Sequence, residues 1–303
     1  MYTIIMYLLL FSQTIIPAAI TYELNGQRFG DSLSCYCKAK LFSTMYGLPL
    51  FYVPFKYSDQ LALHKTQTLY TSDVAKTFDS IVRVNSEEDI KNNLNKNVLF
   101  VSHFYSHTPD LYEYGFKNSE FSRTLKKDLT PIIPVSTIEK KPDTITVALH
   151  VRKGGGFDKP LASQQIYKKY QYADQQWPTK FPPDQFYLDQ IKLVKKLVGN
   201  EKKLLIYLFT DDPNPALIVQ RYKEYLNDTT IRFTYRTDNS HDTNVVEDFY
   251  LMSQCDCLIR STSLFARASQ LVGNHQIIMY PIVGTWVDNK IIINPAGIII
   301  RDE

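Results

Sequence analysis

The feature that most constrains this chain is the regular alternation of apolar strands with amphipathic helices through its second half. Ile145 to Val151 is rich in β-branched residues and runs into Gly154-Gly155-Gly156, and Leu204 to Phe209 is a continuous apolar run. Between them, Pro183 to Val198 places Phe186, Leu188, Ile191, Val194, Leu197 and Val198 on or near one helical face. The pattern continues with helices predicted over 215–226, 245–253 and 263–271 and strands over 230–235, 257–259 and 276–280. Strands that alternate with helices imply a mostly parallel sheet covered on both faces. Such sheets bind ligands beyond the carboxyl ends of their strands.

The first half is less regular. Tyr22 to Asp31 is a turn-rich loop. From Ser32 the residues Leu33, Tyr36, Cys37, Leu41 and Met45 recur at helical spacing until Gly47 stops the run. Leu48 to Phe55 and Asn97 to Val101 read as strands, and the polar stretch 75–96 as holding at least one surface helix. Pro131, Pro134 and the run Glu139 to Asp143 mark a junction, which divides the chain into an N-terminal α/β domain over 21–142 and a C-terminal Rossmann-like domain over 143–303. With 303 residues there is ample length for two such units. A net charge of +3, evenly spread, excludes electrostatic capture of nucleic acid, while a local basic pocket for a small anion fits it.

Met1 to Ile20 is nearly all apolar and carries no charge. It suits a cleaved signal peptide, with Ala18-Ala19 near a cleavage point, or a membrane tether. The other reading is a buried first element of the domain. The first pair of readings places the protein in the secretory pathway or at a membrane, the other in the cytoplasm. The four cysteines form two C-x-C pairs, Cys35/Cys37 and Cys255/Cys257, without zinc-knuckle spacing or a nearby His, and read as buried thiols. No metal site is expected.

Three strand ends carry polar residues. His150-Val151-Arg152-Lys153 precedes the triple glycine, where a guanidinium, an ammonium and exposed amides could approach a phosphate. It matches neither a Walker A loop nor a dinucleotide fingerprint. Thr210-Asp211-Asp212 could bind a metal, orient hydroxyls or cap the following helix. Asp248 lies in a helix, and Ser261-Thr262-Ser263 opens another, where hydroxyls and amides serve either as an anion site or as ordinary caps.

In their order and spacing these motifs resemble those of the fucosyltransferase superfamily that includes α1,6- and α1,2-fucosyltransferases and protein O-fucosyltransferases. His150-Val151-Arg152-Lys153 is similar to its H-x-R-R motif. Tyr207 to Pro213 resembles its strand followed by T-D-D-P, and Asp248 to Asp256 its D-x-x-x-L-S-x-A-D segment. Gln27-Arg28-Phe29-Gly30-Asp31 is similar to the G-R-F-G-N loop of protein O-fucosyltransferases. The chain departs from the family at Asp31, where Asn is usual, and at a glycine in place of the acid of R-R-x-D, with Asp158 slightly downstream.

The resemblance implies a GT-B fold, two Rossmann-like domains with mostly parallel sheets facing a cleft. It implies a GDP-sugar donor, GDP-fucose being the usual one, no metal or other cofactor, and an inverting transfer to a glycan or protein hydroxyl. Arg152 would hold the β-phosphate, with His150 and Lys153 in the same pocket. Asp248 would read the guanine edge, Thr262 and Ser263 would bind diphosphate oxygens, Asp211 would line the donor site, and Arg28, Phe29 and Gly30 would meet the donor from the N-terminal side. Asp31 or Asp158 would be the general base, with Asp31 favoured. The alternative is a non-catalytic nucleotide- or glycan-binding protein on the same fold.

Overall fold

The computed structural model describes residues 18–153, 178–237, 243–287 and 290–301. Residues 1–17 of the apolar N-terminal segment, the triple glycine and Asp158 lie outside the described residues.

The N-terminal part runs β1 (Ala18–Tyr22), α1 (Phe29–Tyr46), β2 (Phe51–Tyr52), α2 (Leu63–Thr66), β3 (Thr68–Leu69), α3 (Ser72–Ala75), β4 (Ser80–Val84), α4 (Glu87–Lys91), β5 (Val98–Ser102), α5 (Leu111–Lys117) and α6 (Ser119–Asp128). Strands β1, β5 and β4 form a parallel three-stranded sheet in that order. Ala18, Ala19 and Ile20, the last three residues of the apolar segment over 1–20, are thus buried ladder residues paired with Val98, Leu99 and Phe100. Helix α1 starts three residues earlier than its apolar spacing indicates, so Gly30 and Asp31 belong to its first turn and not to a loop. It ends where expected, because Gly47 takes the left-handed conformation (φ 64°) and its N–H closes on Ser43 O.

The strand expected over 48–55 shrinks to β2, paired with β3, with Leu50 just before it bridging to Ile20 of β1. Pro49 and Pro54 remove backbone donors on either side of it. Strand β4 lies unannounced within the polar stretch, since it is a sheet edge on which Ile81 stays exposed and Arg83 pairs with Glu23.

The second part follows the expected order: β6 (Thr144–Val151), α7 (Asp184–Val198), β7 (Lys203–Thr210), α8 (Pro215–Leu226), β8 (Ile231–Tyr235), α9 (Val245–Gln254), β9 (Cys257–Arg260), α10 (Leu264–Val272) and β10 (Ile277–Pro281). A hairpin, β11 (Gly284–Val287) with β12 (Lys290–Ile293), and the edge strand β13 (Ala296–Ile300) complete it. The six-stranded sheet has the order β13-β10-β9-β6-β7-β8, parallel except for β13. The chain builds outward from β6 through β7 to β8 and then returns to the other side of β6 as β9. That reversal puts a topological switch point, the usual ligand position in an open α/β sheet, at the carboxyl ends of β6 and β9.

Apolar burial does not follow the chain's own division. Val246 and Phe249 of α9 and Ala268, Leu271 and Val272 of α10 lie in one buried cluster with β1, α1 and β5. A second cluster joins β6, β7 and β9 to α7 and α8. All four cysteines are buried thiols, and burial raises each pKa, that of Cys35 to about 11. Among the described residues no helix is long and apolar enough to cross a membrane.

Candidate active site

A cavity of about 570 Å³ opens at this switch point, within the roughly 300–1,000 Å³ typical of small-molecule sites. Of the residues singled out in the sequence, Arg28, Phe29, Gly30, Asp31, His150, Arg152, Asp211, Asp248, Thr262 and Ser263 all line it. They come from two helix starts, three strand ends and the first turn of α9.

Arg152 follows β6 and is almost buried. Its Nη1 lies 3.3 Å from Asp211 Oδ2, and the other oxygen of Asp211 accepts the Lys153 backbone N–H at 2.7 Å. Asp211 therefore clamps the end of β6 to the end of β7 and fixes the guanidinium; charge-assisted bonds of this kind are strong where water is excluded. Asp212 does something simpler: its Oδ1 accepts the Asn214 N–H at 2.7 Å and shapes the turn into α8.

Lys153 is the one described candidate that the structure takes away from the cavity. Side chains alternate along an extended chain, so His150 and Arg152 share one side and Lys153 the other. Its ammonium sits 2.7 Å from Asp184 Oδ1, in the first turn of α7, and Asp184 also accepts from Tyr222 Oη at 3.0 Å. The lysine anchors α7 beneath the sheet.

His150 is buried, with Nδ1 3.3 Å from Ser261 Oγ. Burial first, then the Arg152 guanidinium, pulls its pKa down to about 4, so the ring is neutral near pH 7. It fills the floor beside Phe265, with ring centroids 6.0 Å apart.

The two helix starts meet directly. A Cβ added to Gly30 would lie 2.6 Å from the Phe265 backbone nitrogen, so only glycine lets the first turns of α1 and α10 touch. Phe29, buried, stacks edge-on against Phe249, Phe265 and Tyr57 and is the packing centre of this junction more than a ligand contact. Ser263 is the N-cap of α10, yet its side chain makes no capping bond, and α10 has no acid in its first turn. Helix α1 carries Asp31 there. The amides of a helix start and its positive dipole end favour an anion.

Asp248 reaches the cavity from α9 while its Oδ1 takes the Arg236 Nε–H at 3.1 Å; Arg236 also pairs with Glu247 at 2.8 Å. The sequence reading missed Arg236. It also missed Lys180, whose segment is held to the site by the Thr262 N–H donating to Thr179 O at 3.0 Å, and Phe104 and Tyr105 from the loop after β5. None of these carries a local pattern; the aromatic pair followed directly by Ser106-His107 at a strand end was the only cue. Among the described residues no group of three or more His, Cys, Asp or Glu is arranged to hold a metal ion.

No protein-family model matches the chain, and no curated protein matches it in sequence. Solved structures do. Arabidopsis thaliana FUT1, as a mutant in complex with GDP, superposes with a TM-score of 0.52 at 13% identity, over 86% of this chain and 70% of that one. POFUT1 in complex with GDP-fucose gives a TM-score of 0.46 at 11% identity, over 87% and 97%. The α-1,6-fucosyltransferase NodZ soaked with GDP-fucose gives 0.41 at 12% identity, over 94% and 100%. The chain has a fucosyltransferase-like α/β fold of the GT-B kind, as its motifs imply.

Proposed function

We propose that the chain is an inverting glycosyltransferase that moves fucose from GDP-fucose to a hydroxyl of a glycan or protein. The observation that supports this most is the convergence of Arg152 and the uncapped start of α10 on one cavity at the switch point of the sheet. The fold it shares with FUT1, which was solved with GDP, points the same way.

In this reading the cavity has a polarity. The diphosphate lies at the α10 end, where Arg152, Thr262, Ser263 and the helix amides meet it, and Asp248 with its Arg236 partner faces the guanine. The acceptor hydroxyl lies at the α1 end, beside Asp31. The acceptor oxygen forms the new bond to the anomeric carbon as the bond from that carbon to the β-phosphate oxygen breaks. The electron pair leaves with GDP, and the acceptor proton passes to the Asp31 carboxylate. Glycosyl transfer runs through an oxocarbenium-like state in which charge grows on the leaving group. Fixed cationic and amide donors therefore stabilise the transition state more than the bound donor.

A melting-shift series with GDP, UDP, CDP and ADP, followed by GDP release from GDP-fucose with glycan and peptide acceptors, tests the reading. The expected result is a shift confined to GDP and acceptor-dependent release. Binding of GDP without release under any acceptor would favour the non-catalytic alternative, and no shift with any nucleotide would reject a nucleotide site.

A further inference from the structure

A second cavity, of about 260 Å³, adjoins the first and shares Phe104 and Leu264 with it. Its walls carry two cations, Lys38 of α1 and Arg267 of α10. The Arg267 guanidinium lies over Tyr112, 4.1 Å from the ring centroid, and its Nε is buried with no acceptor among the described residues. Lys38 Nζ donates to Phe104 O at 2.6 Å and Ser106 O at 3.1 Å, which leaves the third of its three N–H donors for something else. The one acid in the wall, Asp110, is committed to α5, where its Oδ1 accepts the Tyr112 and Glu113 backbone N–H groups at 2.8 and 2.9 Å.

Two cations that share one small cavity, whose one acid is engaged in capping α5, are costly where water is thin. Burial, and secondarily the Arg267 charge, lowers the Lys38 pKa from its usual value. Nearby Arg260 is buried and, among the described residues, pairs with no acid: it bonds to Gln270 and to the Ser261 carbonyl and lies over Tyr280, and its pKa is pulled down to about 10 by burial and by Arg267. A natural fold keeps such a cluster where an anion completes it.

The helix supplies the direction. Asp31 lines the first cavity, and Ser34 and Lys38 line the second, at positions i, i+3 and i+7 of α1. They share one face, with Asp31 and Lys38 about 10 Å apart along the axis at 1.5 Å per residue. That is the reach of a short oligosaccharide. The hydroxyls of Ser34 and Thr108 and the edge-on pair Phe104 and Tyr105, the latter 75% exposed, suit sugar rings along the way.

We infer that this second cavity is an acceptor subsite that grips a carboxylate on an acidic glycan through Lys38 and Arg267, while the accepting hydroxyl of the same glycan sits at Asp31. The inference rests on the glycosyltransferase reading for the role of Asp31, but the binding it requires is measurable without any nucleotide. The probes are a glucuronate-containing tetrasaccharide, the same tetrasaccharide with its carboxylates reduced to alcohols, and an acidic peptide. Full-length wild-type protein is expected to bind the acidic tetrasaccharide at least tenfold tighter than the reduced one by calorimetry. Arg267→Gln should erase that preference and leave the GDP melting shift as in wild type, and Arg267→Lys should restore part of it. If Arg267→Gln lowers the melting temperature, Lys38→Met supplies the same test from the other wall. Equal binding of the two tetrasaccharides by wild type would overturn the inference, as would a preference that survives both Arg267→Gln and Lys38→Met. Tighter binding of the acidic peptide than of the acidic tetrasaccharide would overturn the glycan assignment. A missing GDP shift with the carboxylate preference intact would reject the donor reading and keep the subsite.

Discussion

The starts of α1 and α10 touch at one cavity, and they differ in the charge of their first turns. Both N-cap residues, Arg28 and Ser263, have extended backbone and neither side chain accepts a capping hydrogen bond. Helix α1 answers its positive end with Asp31; α10 has no acid there. Two dipoles of similar origin thus present opposite chemistry to the cavity beside them. One is neutralised from within and leaves a carboxylate facing the cavity. The other waits for an anion from outside.

Removing the acid from α1 is the sharpest way to break that contrast. Asp31→Asn should lower kcat by about 10²–10⁴, the range for a positioned general base, and leave the GDP melting shift intact. Arg152→Ala attacks the other end: kcat should fall about 10²–10³ and the GDP shift should vanish while the unliganded protein still folds. A GDP shift unchanged in that variant would remove the assignment of the diphosphate to the α10 end. Gly30→Ala acts on the contact between the two helices, pushing a methyl into the Phe265 backbone. It should cost about 1–3 kcal/mol in denaturant unfolding and loosen both substrates together.

The gentlest probe is pH. His150 and His275 are both buried with pKa values lowered to about 4, chiefly by desolvation. Because the unfolded chain binds protons near pH 6.5 and the folded one does not, stability should be level above that pH. It should fall as the pH drops from about 6.5 towards 4. His275→Gln should reduce this slope without changing the GDP shift, since only His150 lies at the cavity; thermal melts across that range decide it.

The second half of the molecule was legible because its central strands, β6, β7, β9 and β10, are largely buried and rich in apolar residues. Helix α8 and strand β7 appear within a residue of their predicted bounds. The first half hid β4, whose edge position allows charge and exposure. It also hid the true start of α1, because Gly30 and Asp31 look like turn residues until Phe265 is seen against them. At the site, residues on strand ends and helix starts could be found by position. Lys153 was misplaced because adjacency in sequence is not adjacency in space: alternation sends it to Asp184. Lys180 could not be found at all, since only tertiary packing brings it to the cavity, and the same holds for Arg236 as the partner of Asp248.

The sharing of one apolar cluster by β1, α1, α9 and α10 has a practical consequence. A fragment cut after residue 142 would turn Phe29 and its neighbours out to water, and the complementary fragment would do the same with Phe249 and Leu271. Neither piece is then an independent module. Expressed apart they should be insoluble, and expressed together they should find each other through that shared interior.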